Sequence, residues 1–141
     1  MKTKMANTVT NHIKRYPLAI VLLLVIVFLS LYPFQHIHLM ENVPLSDKWT
    51  HMLMYGGFCL VLWAEYLWRH DRIHWGKALC WAVLAPIAFS GLMELCQKYL
   101  TTYRSGEWLD LVANTIGVVL SAIIGSTLLK WVMKKMQARV K

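Results

Sequence analysis

Four long apolar blocks constrain this chain more than any other feature: Pro17–Phe34, Trp49–Trp68, Lys77–Tyr99 and Leu109–Met133. Each has about the 17–25 residues that a helix, rising 1.5 Å per residue, needs to cross a ~30 Å hydrocarbon core. An open sheet is excluded in such a setting, because each unpaired edge group in lipid costs several kcal/mol. Charged residues make up only 16% of the chain, well below the quarter or so of a soluble domain. The expected fold is all-α, a polytopic membrane protein built as a four-transmembrane-helix bundle. Basic residues precede the first block, as they precede a cleaved signal peptide. That apolar run is long for a signal core, however, and Tyr32-Pro33-Phe34 follows it where a small-x-small cleavage site is required. An uncleaved first span is therefore expected.

The formal charge of +8 is distributed in a way that points to topology and away from nucleic acid. Lys2, Lys4, Lys14 and Arg15 precede the first block, Arg69, Arg72 and Lys77 separate the second from the third, and Lys130, Lys134, Lys135, Arg139 and Lys141 follow or close the fourth. Only Lys48, Lys98 and Arg104 fall in the two other connections. Twelve basic residues against three read, by the positive-inside rule, as two cytoplasmic termini. The chain then divides into a basic cytoplasmic N-terminus at residues 1–16, a transmembrane domain at 17–133 and a basic cytoplasmic tail at 134–141. Both basic ends would face anionic inner-leaflet lipid.

The connections are short, about fifteen residues and then roughly ten each, which suits packed helix pairs and leaves no room for a soluble domain. Trp49, Tyr99, Tyr103 and Trp108 fall near one interface and Tyr16, Trp68, Trp75 and Trp131 near the other, as aromatic belts do. Pro86 lies within the third block, frees the carbonyl of Ala82 and is expected to bend that helix. Cys59, Cys80 and Cys96 share no metal-type spacing and are read as reduced filler.

The informative residues are polar groups at the span ends. Asp47, His51 and Tyr55 are spaced four apart and share a helix face, as do Ser90, Glu94 and Gln97. Asp110, Asn114, Gly117, Ser121 and Gly125 form a stripe that is polar at its start and small below. Under the deduced topology, Asp47, His51, Glu94, Gln97, Asp110, Asn114 and Arg104 converge on the outer membrane face. Glu94 stands about one turn inside its span, where an unpaired carboxylate is expensive and usually marks function. Each of these groups has a plainer role: Glu94 can staple Lys98 or Arg104, His51 can be a packing residue, and Asn114 can make an interhelical bond of ~0.6 kcal/mol. Together they exceed what holding four helices requires. Gly117, Ser121 and Gly125 read as a small-xxx-small packing seam, and Glu65, Arg69 and Asp71 as solvated interface charges.

No nucleophile elbow, phosphate loop, CxxC pair or HExxH motif is present. Asp47, His51, Glu94 and Asp110 are of the right chemistry for a metal, but the loose pattern assigns none, and no cofactor is expected. The same residues carry a resemblance. Ser46-Asp47-Lys48-x-x-His51-x-x-x-Tyr55 resembles the first motif of the VanZ-like family, and Glu94-x-x-Gln97 followed by Arg104-Ser105-x-x-x-x-Asp110-x-x-x-Asn114-x-x-Gly117 resembles the second. The likeness runs from about Asp47 to Gly125, with Thr102-Tyr103 in place of a common Pro-Gly and Gly106-Glu107 in place of an aromatic and Asp. It implies a small multispanning protein of a bacterial-type cytoplasmic membrane, in a family whose founding member is tied to resistance against teicoplanin, a lipid-bearing glycopeptide.

Three functions fit these residues. The first is binding of an amphiphile, such as a membrane lipid or a lipid-linked envelope precursor. Arg104 and Lys48 would contact an anionic head, and Asp47, His51, Glu94, Gln97, Asp110 and Asn114 would orient it. The second is an enzyme with His51 as acid or base and Arg104 stabilising developing phosphate charge. The third is a structural partner that packs through its glycine seam against another membrane protein.

Overall fold

The computed structural model describes residues 10–11, 14–32, 44–102 and 106–140. Among them, after helical residues 10–11 and 14–15, come the helices α1 (Pro17–Leu31), α2 (Ser46–Arg69), α3 (Trp75–Leu100) and α4 (Trp108–Val140). Each overlaps one apolar block, and the described residues contain no strand. Helices α3 and α4, of 26 and 33 residues, are long and apolar enough to cross a membrane. Within their most apolar windows only 28% and 33% of residues are buried in the molecule, whereas the core helix of a soluble protein would be largely enclosed. Helix α1 is equally apolar but has 15 residues, about 22 Å of rise. Its end is set by Pro33, which pushes Tyr32 into the extended region at ψ 138°. Helix α2 has the length, at 24 residues, but its mean hydropathy is diluted by Asp47, Lys48, His51, Glu65 and Arg69.

The burial pattern is inverted relative to a water-soluble bundle. Leu18, Leu24, Trp81, Leu92, Leu109 and Ile123 are all more than half exposed, while His51, Ser90, Gln97, Asp110, Asn114 and Ser121 are buried. Polar groups inside and apolar groups outside is the arrangement favoured where the surroundings are hydrocarbon.

The most extensive helix contact is between α2 and α4. It is close because Gly56 and Gly117 face each other. A Cβ on Gly117 would lie 2.3 Å from the Met52 carbonyl oxygen. Ser121 Oγ donates across the seam to the Gly56 carbonyl at 2.7 Å and also to that of Gly117 at 2.8 Å. One turn further, the Trp63 ring occupies the space a side chain at Gly125 would need. Around this seam α1 packs Ala19 and Ile26 onto Tyr55, Phe58, Cys59 and Val118.

Two local departures from α geometry accompany the packing. A π-helical turn, Cys80–Leu84, precedes Pro86, with the Ala85 N–H bonded to the Cys80 carbonyl. The wider turn relieves the ring's clash with the preceding carbonyls. A second π turn, Gly125–Leu129, lies where Trp63 presses on α4.

Glu65 corrects the reading of a solvated interface charge. Its carboxylate is buried, and its two oxygens accept the N–H groups of Leu18 and Ala19 at 3.0 and 3.1 Å. These are orphan donors of the first turn of α1, where a negative charge also meets the positive end of the helix dipole.

Candidate functional site

The start of α2, the end of α3 and the start of α4 meet at one end of the bundle. Leu45, in the left-handed region at φ 59°, turns the chain into α2 and sets Asp47 and Lys48 on its first turn. His51 follows one turn later and is buried against α4. Its Nδ1–H donates to Asn114 Oδ1 at 3.2 Å, and Glu94 Oε1 lies 3.8 Å from the same nitrogen. On the other side of the ring, Nε2 faces Asp110 Oδ2 at 3.7 Å and Asp47 Oδ1 at 3.9 Å. Glu94 Oε2 accepts the backbone N–H of Glu107 at 3.3 Å, which draws the connection before α4 over the end of α3. Gly106 makes that approach possible, since a Cβ there would stand 2.3 Å from the Glu94 carbonyl oxygen.

Lys48 is held by carboxylates from two helices. Its Nζ donates to Asp110 Oδ1, to Glu107 Oε2 at 2.7 Å and to Asp47 Oδ2 at 3.3 Å. Desolvation works against the ammonium charge, but the hydrogen bonds it donates to Asp110, Glu107 and Asp47 outweigh it and hold the group above the ordinary lysine range. Lys48 thus stays cationic, with its donors directed at the protein's own acids. Among the described residues the cluster carries Asp47, Glu94, Glu107 and Asp110 against Lys48, so acceptors predominate.

The structure therefore brings Asp47, Lys48, His51, Glu94, Asp110 and Asn114 into one site. Gln97 turns away from it: its Nε2 donates to the Ser30 carbonyl at 3.0 Å and ties α3 to the end of α1. Arg104 lies outside the described residues. Gly117, Ser121 and Gly125 lie below the cluster on the α2–α4 seam. Glu107 is an addition; it is the extended residue that caps the start of α4, three residues before Asp110.

Two buried groups in this region lack a hydrogen-bond partner among the described residues. Asn114, with no exposed surface, uses Oδ1 on His51 and leaves Nδ2 without a partner, and Tyr55 Oη, one turn below His51, has none. Nearly all buried polar groups in proteins are paired, so these two atoms stand out from the rest of the buried polar set. Three ligand-type atoms, from Asp47, His51 and Asp110, lie within 4.8 Å of one another and have the chemistry to hold a cation.

The fold and this site define a helical membrane protein with a buried polar cluster at one end of its bundle. The chain belongs to the VanZ/LLP1 family, whose model matches residues 4–130. No curated protein and no solved structure matches it at a significant level.

Proposed function

We propose that this VanZ-like protein spans the cytoplasmic membrane four times with both termini inside, and that its polar cluster, at the outer face, binds the head group of an amphiphile such as a lipid-linked envelope precursor. The observation that carries this reading is Asn114: wholly enclosed, holding His51 with one amide atom and leaving the other, like Tyr55 Oη, without a partner among the described residues. A brace between helices would pair both atoms, since an orphan buried donor costs ~1–3 kcal/mol. Asn114 Nδ2 and Tyr55 Oη would donate to head-group oxygens, and Asp47, Glu94 and Asp110 would accept from hydroxyls or amides. Because Lys48 is engaged by three carboxylates, contact with an anionic group falls to Arg104, whose planar fork suits phosphate. The outward-facing apolar surfaces of α1, α3 and α4 leave the tail in the bilayer.

The test compares Glu94→Gln, which keeps shape and removes charge, with Arg104→Lys, which keeps charge and loses the fork. In nanodiscs, both should fold near normally yet lose binding of a polyprenyl-diphosphate-linked precursor. Susceptibility of cells to teicoplanin should shift in parallel. Gly125→Leu, which leaves the cluster intact and obstructs the seam, should instead reduce folded protein. Stable Glu94→Gln and Arg104→Lys variants with full binding would defeat the ligand-site reading. Turnover of the bound head group would make the protein an enzyme, with His51 as its acid–base group.

A further inference from the structure

The end of the bundle opposite the polar cluster gathers positive charge. Helices α2 and α4 run side by side in the same direction, with Gly56 against Gly117 and Trp63 against Gly125, so Arg69, the last residue of α2, comes level with Trp131. One turn earlier, Glu65 receives the first turn of α1 and brings Arg15 to the same end. There the Tyr16 hydroxyl feels the charge of both Arg69 and Arg15. Beyond Trp131, α4 continues to Val140, roughly 13 Å further, and no residue from Lys130 onward is buried. Among the described residues this end holds nine lysines and arginines against two acids, Glu65 and Asp71. The Glu65 carboxylate is occupied by backbone N–H groups. None of the nine forms an ion pair among the described residues, whereas Lys48 at the other end is held by three carboxylates.

Three tryptophans mark where this end meets lipid. Trp68, Trp75 and Trp131, on three different helices, are each more than half exposed, and Lys135 Nζ lies 5.0 Å from the centre of the Trp131 ring. Tryptophan gathers at the boundary between hydrocarbon and head groups, so the cations at the same level stand among the lipid phosphates. We infer that Arg15, Arg69, Arg72, Lys77 and Lys130 form a collar that binds anionic phospholipid of the surrounding leaflet in preference to zwitterionic lipid. The net negative head groups supply the counter-charge that the protein lacks. An acidic soluble protein could reach the tip of α4, but the collar lies at the lipid boundary and is contributed by the ends of all four helices. The positive-inside rule concerns insertion and requires no such lipid preference. The inference is independent of the amphiphile reading, which concerns the opposite end of the bundle.

The test places the full-length protein in phosphatidylcholine nanodiscs that contain brominated phosphatidylglycerol or, at equal mole fraction, brominated phosphatidylcholine, and reads tryptophan quenching. At low salt phosphatidylglycerol should be preferred by at least ~5-fold, the effect of one basic residue at an anionic surface. The preference should fall towards unity at ~1 M salt, where charges are screened beyond ~3 Å. Arg69→Gln, Arg72→Gln and Lys77→Gln together should remove most of it. Lys134→Gln, Lys135→Gln and Arg139→Gln together, past the collar, should remove less. Equal quenching of the wild type by the two lipids would overturn the inference, as it would if the protein then bound polyglutamate instead. So would a full preference in a well-folded collar variant, or a larger loss from the tail variant than from the collar variant. Should the collar variant fail to fold, a wild-type preference that persisted at ~1 M salt would overturn it.

Discussion

Gly117→Ala adds a single methyl group at the closest point of the α2–α4 seam. The new Cβ would stand 2.3 Å from the Met52 carbonyl oxygen, about 1.1 Å short of an ordinary 3.4 Å contact, and 3.1 Å from the Gly56 nitrogen. Backbone atoms cannot swing aside as a flexible side chain can, so the helices must part by roughly 1 Å, at a cost typical of overpacking, ~1–3 kcal/mol. The same movement stretches the 2.7 Å bond from Ser121 Oγ to the Gly56 carbonyl beyond hydrogen-bond range, a loss of ~0.5–1.5 kcal/mol. Alanine's better helix propensity returns ~0.5–1 kcal/mol. The net destabilisation is about 2 kcal/mol. Gly57→Ala is the internal control: no atom lies within 4 Å of its Cβ, so only the propensity gain of ~0.5–1 kcal/mol applies. Reversible unfolding in mixed micelles by graded SDS, followed by tryptophan fluorescence, should separate the two variants by about 3 kcal/mol. A Gly117→Ala protein as stable as Gly57→Ala would refute the close backbone approach.

Glu65→Ala leaves the Leu18 and Ala19 N–H groups without their acceptor and should cost ~1–3 kcal/mol in the same assay; Glu65→Gln, which keeps one acceptor oxygen, should lose less, and a neutral alanine variant would contradict the capping role. Cysteine labelling in intact cells should mark probes near Glu41 and Ser105 from outside and those near Asp71 and Gln137 only after permeabilisation. Cytoplasmic labelling of the Ser105 probe would invert the orientation and relocate the cluster.

Much of the site is legible in the sequence because helical spacing alone determines which residues share a face. His51 and Tyr55, four apart, are both buried on α2, and Asp110, Asn114, Gly117, Ser121 and Gly125 are all buried along α4. What spacing cannot supply is which neighbour a side chain reaches. Gln97 sits on the predicted face of α3 yet turns to the Ser30 carbonyl, a choice set by where α1 ends. Lys48, expected to meet an anionic ligand, meets Asp110 and Glu107 because α4 begins beside it. Glu65 reads as a surface charge until the first turn of α1 is placed against it. The π turn at Cys80–Leu84 is anticipated only as a bend at Pro86, while that at Gly125–Leu129 depends on the Trp63 ring of another helix.

The central claim, that the polar cluster meets a ligand, is tested most directly by an experimental structure of the protein in nanodiscs saturated with a polyprenyl-diphosphate-linked precursor. The account predicts head-group density within hydrogen-bond distance of Asn114 Nδ2 and Tyr55 Oη, with the tail along the apolar helix faces. A cluster closed over Asn114 and Tyr55, with the precursor bound elsewhere or not at all, would contradict it.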